Sequence, residues 1–428
     1  MKILVIKFGG TSIGDTEAML RSAALVRGQV DQWDGLVVVV SAMRGATNLL
    51  LNFGKTAANG GSQAVLKGCA DDFAAIHRKA INALDLKGEE RLALNEMVNT
   101  RLAELSQLGN EIRKAGQTRP EQLDALAALG ELSSAPLFAA LLRKFDLTAR
   151  PVDARQFIHT DARFQNAVVQ AATTRSRTRA ALLPMVAAGR IPVVTGFIGA
   201  DSLGRTTTLG RGAGDYSSTI VAGCLDAAEV WNLTDVDGVM TADPRLAPEA
   251  KTIVELSFDE MKKLATVGAR VLHPDTVFPL VEAGIPLRVM NTFNPASQGT
   301  LIRPVSGGHS GRALGVVCTI EGDEARIIVV GGRPNVRKLQ GAAIRQGIQV
   351  LSAKALTICA GAVLAVAAED GERAARIIHN QVFGVDLASR NVLWFSFHVL
   401  EKICGGLQLW IQRESGRRLG DRIKASKM

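Results

Sequence analysis

Three clusters in this sequence combine glycine, hydroxyl, cationic and acidic residues in ways that suit the transfer of a phosphoryl group. The first is Lys7-Phe8-Gly9-Gly10-Thr11-Ser12, after the apolar run Ile3–Ile6 and before Asp15 and the helical pattern of Met19, Leu20, Ala23 and Ala24. Paired glycines let backbone N–H groups approach an anion closely, and a helix start adds partial positive charge. Lys7, at the end of the run, offers an ammonium where negative charge shifts during transfer. The spacing matches neither the Walker loop nor G-x-G-x-x-G, so it competes with a purely structural glycine turn. The second cluster is Gly204–Ser218, where four glycines, three threonines, Arg205 and Arg211 sit beside Asp215 and the chain's one tyrosine, Tyr216. Arg211 has the planar fork that fits a carboxylate or phosphate. Asp215, at a helix start, either caps that helix or orients cations around a reacting phosphoryl. The third cluster runs from Trp231 to Arg245, with Thr234-Asp235 at a strand end, an Asp237-Gly238 turn and Asp243-Pro244. Ligands of open α/β sheets bind beyond such strand ends. Weaker members are Ser41 and Thr47 after another apolar run, and Gly130-Glu131 at an expected helix start, where capping competes with ligand binding.

Residues of this kind act together only if a scaffold brings strand ends side by side. The runs Ile3–Ile6, Leu36–Val40, Ile191–Val194, Val230–Leu233 and Pro286–Val289 are bounded by Gly, Pro, Asn, Asp or Ser and are too short for helices. They predict buried parallel strands alternating with helices, an α/β layer architecture. Residues 50–145, rich in Ala, Leu, Glu, Lys and Arg, predict a helical insertion. Glycine, proline and serine between 294 and 311 predict a linker at about 301–313. A βαββ-like unit is expected from about Leu314, with strands Ala325–Val330, Val350–Ala353 and Ala362–Ala367 and helices Lys338–Gln346 and Glu372–Val382.

Composition narrows the classes. The 428 residues are 47% hydrophobic and 21% charged, enough for a sizeable core and two or three domains. No apolar run approaches the roughly 18 residues of a membrane span, and the N-terminus lacks signal-peptide features, so the expectation is a cytoplasmic chain with no membrane partner. Five scattered cysteines form no framework, and neither they nor His273 and the other histidines show metal-ligand spacing. The net charge of +9 comes from the C-terminal third: residues 301–428 hold 18 basic and 10 acidic residues, against 32 and 31 in residues 1–300. That third has no basic stripe interleaved with aromatics, so no nucleic-acid partner is expected.

In order along the chain, Lys7–Ser12, Gly130-Glu131, Val194–Gly199, Thr206–Asp215, Thr234–Arg245, Gly268–Pro274 and Asn291–Pro295 resemble aspartate kinase over residues 1–300. The resemblance implies the amino-acid-kinase fold, a three-layer αβα sandwich around a mostly parallel sheet, followed by an ACT-like α+β regulatory domain at 314–390. It implies transfer of the ATP γ-phosphoryl, with Mg²⁺, to the side-chain carboxylate of L-aspartate, giving 4-phospho-L-aspartate. That is the first step toward lysine, threonine and methionine. It also implies a homo-oligomer and an amino-acid effector at the ACT-like domain. Under it, Lys7 stabilises the transferring phosphoryl and Asp215 positions Lys7. Thr47, Glu131 and Arg211 hold aspartate, with Glu131 on the ammonium. Lys7, Phe8, Gly9, Gly10, Ser41, Thr234, Asp235, Met240, Arg245 and Arg270 lie on the ATP side. The nucleophile, an aspartate carboxylate with a pKa of about 3.9, is already ionised, so alignment and charge neutralisation carry catalysis without a general base.

The sequence departs from the family pattern in several places. Gly210-Arg211-Gly212-Ala213-Gly214-Asp215 replaces Gly-Arg-Gly-Gly-Ser-Asp, Met240 stands for a common tyrosine and Arg270 for a common lysine. Ala355–Gly361 replaces a serine-rich strand, and residues 391–428, with Trp394, Phe395, Phe397, Trp410 and a basic end, form an atypical tail in place of a second ACT unit. Two other functions are weighed: a weakly active or non-catalytic effector-binding homologue, suggested by Ala213-Gly214 and the tail, and a different kinase of the same superfamily acting on glutamate, acetylglutamate or a nucleotide. The Thr-Asp-Val-Asp-Gly and Val-Leu-His-Pro motifs speak against the second.

Overall fold

The run Ile3–Phe8 is buried at every position and forms strand β1 in the computed structural model, which describes residues 1–384 apart from 87, 211, 270, 271, 273 and 306–310. Arg211, Arg270 and the tail 391–428 lie outside the described residues. The Asp15 carboxylate accepts the Ala18 N–H and caps helix α1 (Thr16–Arg27). Strand β2 (Gly35–Val40) is followed by α2 (Ala46–Ala58), α3 (Gln63–Ala83), α4 (Gly88–Ala115) and α5 (Pro120–Lys144), so the helical segment expected over 50–145 is four helices. Next come β3 (Ala149–Val152), α6 (Ala171–Ala187), β4 (Ile191–Thr195), the hairpin β5 (Ile198–Ala200) and β6 (Thr206–Thr208), and α7 (Ala213–Leu225). Strands β7 (Glu229–Thr234) and β8 (Glu255–Ser257), helices α8 (Phe258–Thr266) and α9 (Pro274–Ala283), and strands β9 (Leu287–Asn291) and β10 (Thr300–Arg303) complete this part.

Eight strands form one sheet in the order β3-β4-β2-β1-β7-β9-β10-β8, parallel throughout except between β9 and β10. The five apolar runs are β1, β2, β4, β7 and β9. Because side chains alternate across a strand, β1 feeds both faces. Ile3 and Val5 pack with α6, α7 and the first half of α5, while Leu4, Ile6 and Phe8 pack with α1, α3, α4 and the second half of α5. These are the three layers. Helix α5 is long and apolar enough to cross a membrane, but 89% of its apolar stretch is buried inside the protein, as befits a core helix.

A second, antiparallel sheet follows: β11 (Ala313–Glu321), β12 (Glu324–Gly331), β13 (Val350–Leu356) and β14 (Gly361–Ala367), in the order β11-β12-β14-β13. Helices α10 (Val336–Arg345) and α11 (Gly371–Phe383) share an apolar core with it. Two expectations differ from the structure. Leu301–Arg303, expected in the linker, form β10 of the large sheet, and the small unit begins with β11, giving ββαββα rather than βαββ.

Helix α5 approaches the end of β2 closely at Gly130, where an added Cβ would come within 2.6 Å of the Ala42 Cβ. Glycine to alanine inside a helix ordinarily gains about 1 kcal/mol. Gly130→Ala is instead expected to lose about 1–3 kcal/mol through overpacking, read as a lower urea midpoint at unchanged slope.

Candidate active site

The chemistry-bearing residues collect at the carboxyl ends of β2, β1 and β7, which are neighbours in the sheet. Lys7 lies level with Val39 on one side and Asn232 on the other. By the period-two rule it projects to the same face as Ile3 and Val5, the face covered by α7. Lys7 is 8% exposed, and its Nζ stands 2.6 Å from Oδ1 of Asp215, in the first turn of α7. Gly210 and Gly212, with φ of +83° and +70°, make the turn that delivers Asp215 there, a left-handed backbone that disfavours other residues. Asp215 therefore does more than start its helix: it holds the ammonium.

Three backbone segments close around this pair. The Gly9 N–H donates to the Leu233 carbonyl at 3.2 Å, and the Ser41 N–H donates to the Phe8 carbonyl at 3.2 Å. A Cβ on Gly10 would stand 3.1 Å from the Ala42 carbonyl oxygen. A Cβ on Gly214 would stand 2.9 Å from Ser41 Oγ and 3.5 Å from Lys7 Cε. Phe8 itself turns away, because its ring belongs to the opposite face and sits 5.4 Å from Phe138. Of Phe8 only the backbone is at hand for a ligand.

Glu131 is not at a helix start but in the middle of α5, which removes the capping role. It is 4% exposed. The Ala42 N–H donates to its carboxylate, while Oε2 has no hydrogen-bond partner among the described residues. Burial pushes its pKa from 4.5 up to about 8, and the Ala42 N–H offsets this only in part. A buried carboxylate with a free oxygen is a receptor for a cation such as an ammonium. Ser134, one turn on, donates through Oγ to the Ser41 carbonyl at 2.7 Å and so fixes α5 against the end of β2. Thr47 is half-buried in the first turn of α2, beyond Gly45 at φ +85°, with no side-chain cap on that turn.

Beyond β7, the Thr234 hydroxyl donates to Asp235 Oδ1 at 3.2 Å, and Thr234 is tied to the 291–294 segment through the Thr292 N–H. Asp237 accepts from Asn291 Nδ2 at 2.7 Å and Asn294 Nδ2 at 2.9 Å. Farther along this loop, Met240 Sδ accepts from the Thr252 hydroxyl at 3.4 Å. Arg245 is exposed and paired with Asp243. The structure thus unites Lys7, Gly9, Gly10, Ser41 and Asp215, sets Glu131 behind Ala42 and Thr234-Asp235 at the next strand end, and leaves Met240 and Arg245 in local contacts. Sequence reasoning missed the Ala42 N–H, Ser134, and Asn232, whose buried Oδ1 has no partner among the described residues. Only the strand register, placing Asn232 level with Lys7, reveals the last. Among the described residues no group of three or more His, Cys, Asp or Glu side chains is placed to hold a metal ion.

The fold favours the protonated form of Glu131, so this group costs no stability below pH 4.5 and progressively more as pH rises toward 8. Without ligand, Glu131→Gln should have a melting temperature that gains on the parent as pH is raised from 5 to 8.5. Parallel melting curves across that range would contradict the buried, strained carboxylate.

Residues 2–291 match the amino acid kinase family. The chain is 38% identical over 302 residues to the lysine-sensitive aspartokinase 3 of Escherichia coli (strain K12), an alignment covering 70% of this chain and 64% of that one. It is 36% identical over 301 residues to the chloroplastic aspartokinase 3 of Arabidopsis thaliana, covering 70% and 52%. The matched region thus spans between about half and two thirds of these curated relatives. The crystal structure of E. coli aspartokinase III in complex with aspartate and ADP is similar at a TM-score of 0.77 and 26% identity, covering 89% of this chain and 100% of that one.

Proposed function

This chain belongs to the amino acid kinase family, and on that footing we propose that it is an aspartate kinase, transferring the γ-phosphoryl of ATP to the side-chain carboxylate of L-aspartate. The observation that carries this reading is the Lys7–Asp215 pair at 2.6 Å, set at a strand end, together with the buried Glu131 carboxylate, one of whose oxygens has no partner among the described residues. A phosphoryl acceptor that is itself an amino acid needs both halves of that arrangement. The E. coli relative, solved with aspartate and ADP, supports the choice of substrates.

In this mechanism the substrate ammonium enters the pocket behind Ala42 and is held by Glu131, whose proton it displaces by stabilising the ionised form. Arg211 takes a substrate carboxylate, and Thr47 adds a hydroxyl. The side-chain carboxylate then lies in line with the γ-phosphorus. It forms the new P–O bond as the bond to the β-phosphate oxygen breaks, leaving 4-phospho-L-aspartate and ADP. Lys7 and the Gly10 amide neutralise the charge that spreads over the moving phosphoryl, the Gly9 N–H expected to join them being already engaged with the Leu233 carbonyl, and Asp215 keeps the Lys7 ammonium aimed. ATP extends past Ser41 toward Thr234, Asp235, Met240 and Arg245, and the family resemblance assigns Arg270 to the same ligand. Mg²⁺ bound to the ATP phosphates would supply further charge neutralisation, held by those phosphates rather than by a cluster of side chains among the described residues.

Residues 1–300 form the catalytic domain in this reading. The four-stranded sheet and two helices from 314 onward are an ACT-like regulatory domain for an amino-acid effector, consistent with the name of the lysine-sensitive E. coli relative. The enzyme works as a homo-oligomer in the cytoplasm, at the entry to lysine, threonine and methionine synthesis.

The test is ADP release that depends on both ATP and aspartate, with the acyl phosphate trapped as a hydroxamate by hydroxylamine. ATP binding without any hydroxamate would favour a non-catalytic homologue. Lys7→Met should keep a folded circular-dichroism spectrum and lose roughly 10²–10³-fold in kcat, the scale of one lost transition-state donor. Turnover near the parent's would remove Lys7 from its role.

A further inference from the structure

Asp124 lies seven residues before Glu131 on α5, two helical turns, so both carboxylates rise from one helix face. It is 1% exposed and the mechanism gives it no role. Its oxygens accept the Gln165 N–H at 2.9 and 3.1 Å, the Thr208 N–H at 2.8 Å and the Thr208 hydroxyl at 2.9 Å. A buried carboxylate is costly unless such donors surround it. The two segments it joins both lead to the glycine-rich loop. Thr208 ends β6, two residues before Gly210, and its carbonyl accepts the Ala167 N–H at 2.9 Å. Gln165 is held at φ +68°, a strained backbone for a residue with a side chain. Its neighbour Asn166 presses so close to Gly210 that an added Cβ would lie 2.4 Å from Asn166 Oδ1.

We infer that Asp124 is a positioning residue: it clamps the 161–170 segment and β6 to α5, and so fixes the distance between Glu131 and the glycine-rich loop that together grip the amino-acid substrate. The inference rests on the proposed function for the word substrate, and on geometry alone for the clamp. A rigid helix carrying both the clamp and the ammonium receptor sets how long an amino acid can be bridged between them.

Asp124→Asn tests it, since the amide keeps the shape but turns one acceptor into a donor facing N–H groups. Thr208→Val is the second, milder variant, removing one donor only. In the full-length chain, amide exchange should rise at least tenfold in peptides spanning 161–170 and 204–210 for Asp124→Asn, and less for Thr208→Val, with 3–8 unchanged. The KM for aspartate should rise at least tenfold while the KM for ATP stays within twofold. Unchanged exchange in both segments would overturn the clamp, whether or not the parent phosphorylates aspartate. Faster exchange with both KM values unchanged, with only kcat reduced, or with both KM values raised equally would reduce Asp124 to a structural residue. A parent that yields no hydroxamate would refute the kinase reading and leave exchange to decide the clamp.

Discussion

A lysine that is 8% exposed at the end of a central strand needs a compensating carboxylate, and Asp215 meets its ammonium at 2.6 Å. Much of the molecule serves that meeting. Alternation along β1 sends Lys7 to the α7 face, parallel pairing with β2 and β7 brings three strand ends level, and the turn at Gly210 and Gly212 points the start of α7 at the lysine. The pair is a partly desolvated charge held between the end of β1 and the first turn of α7. In such surroundings an electrostatic contact is worth far more than at the surface, and the groups need not reorganise as a phosphate's charge shifts.

The second charge in the site obeys the opposite rule. Glu131 has no cation of its own among the described residues, and burial holds its pKa near 8. Left empty, the pocket keeps a proton on the carboxyl; filled by an ammonium, it gains an ion pair out of water. Such a residue lowers stability in the free protein and recovers the loss on binding, which makes it selective for ligands that carry a positive charge at that point. Lys7 is already paired with Asp215, whereas Glu131 keeps one oxygen without a partner among the described residues, and under the proposed function that oxygen receives the substrate ammonium. This division suits a substrate that presents an ammonium at one end and a carboxylate nucleophile at the other.

How much of this was legible in the sequence depended on burial. Strands β1, β2, β4, β7 and β9 are mostly apolar because helices cover both faces of a parallel sheet, so short runs sufficed to find them despite Lys7, Asn232 and Arg288 within them. Strands β3 (Ala-Arg-Pro-Val), β6 (Thr-Thr-Thr) and β8 (Glu-Leu-Ser) are too short and polar to stand out from loops. Gly315 lies within β11, where a Cβ would stand 3.0 Å from the Thr241 carbonyl oxygen, and so breaks the apolar pattern without breaking the strand. Gly130 misled in the same way: it resembles a helix boundary, yet it is the point where α5 meets Ala42. Lys7, Asp215 and Glu131 could be named from residue type and order. That Glu131 is buried in mid-helix, and that Phe8 faces the core, follows only from the sheet register and the path of α5.

The altered glycine loop bears on the same pair of charges. The family pattern places a serine at 214, and here the position has no side chain. The space is not idle, for Ser41 Oγ stands 2.9 Å and Lys7 Cε 3.5 Å from where the Cβ would be. With no Cβ between them, the start of α7 lies directly on the end of β2 and on the lysine stem. The hydroxyl missing at 214 therefore has a neighbour of the same chemistry on β2's side of the cleft, and the contact that matters most, Lys7 to Asp215, is made one residue farther on. A side chain at 214 would press on Ser41 and stand against the lysine stem, so the absence of a Cβ there is part of how the start of α7 reaches Lys7.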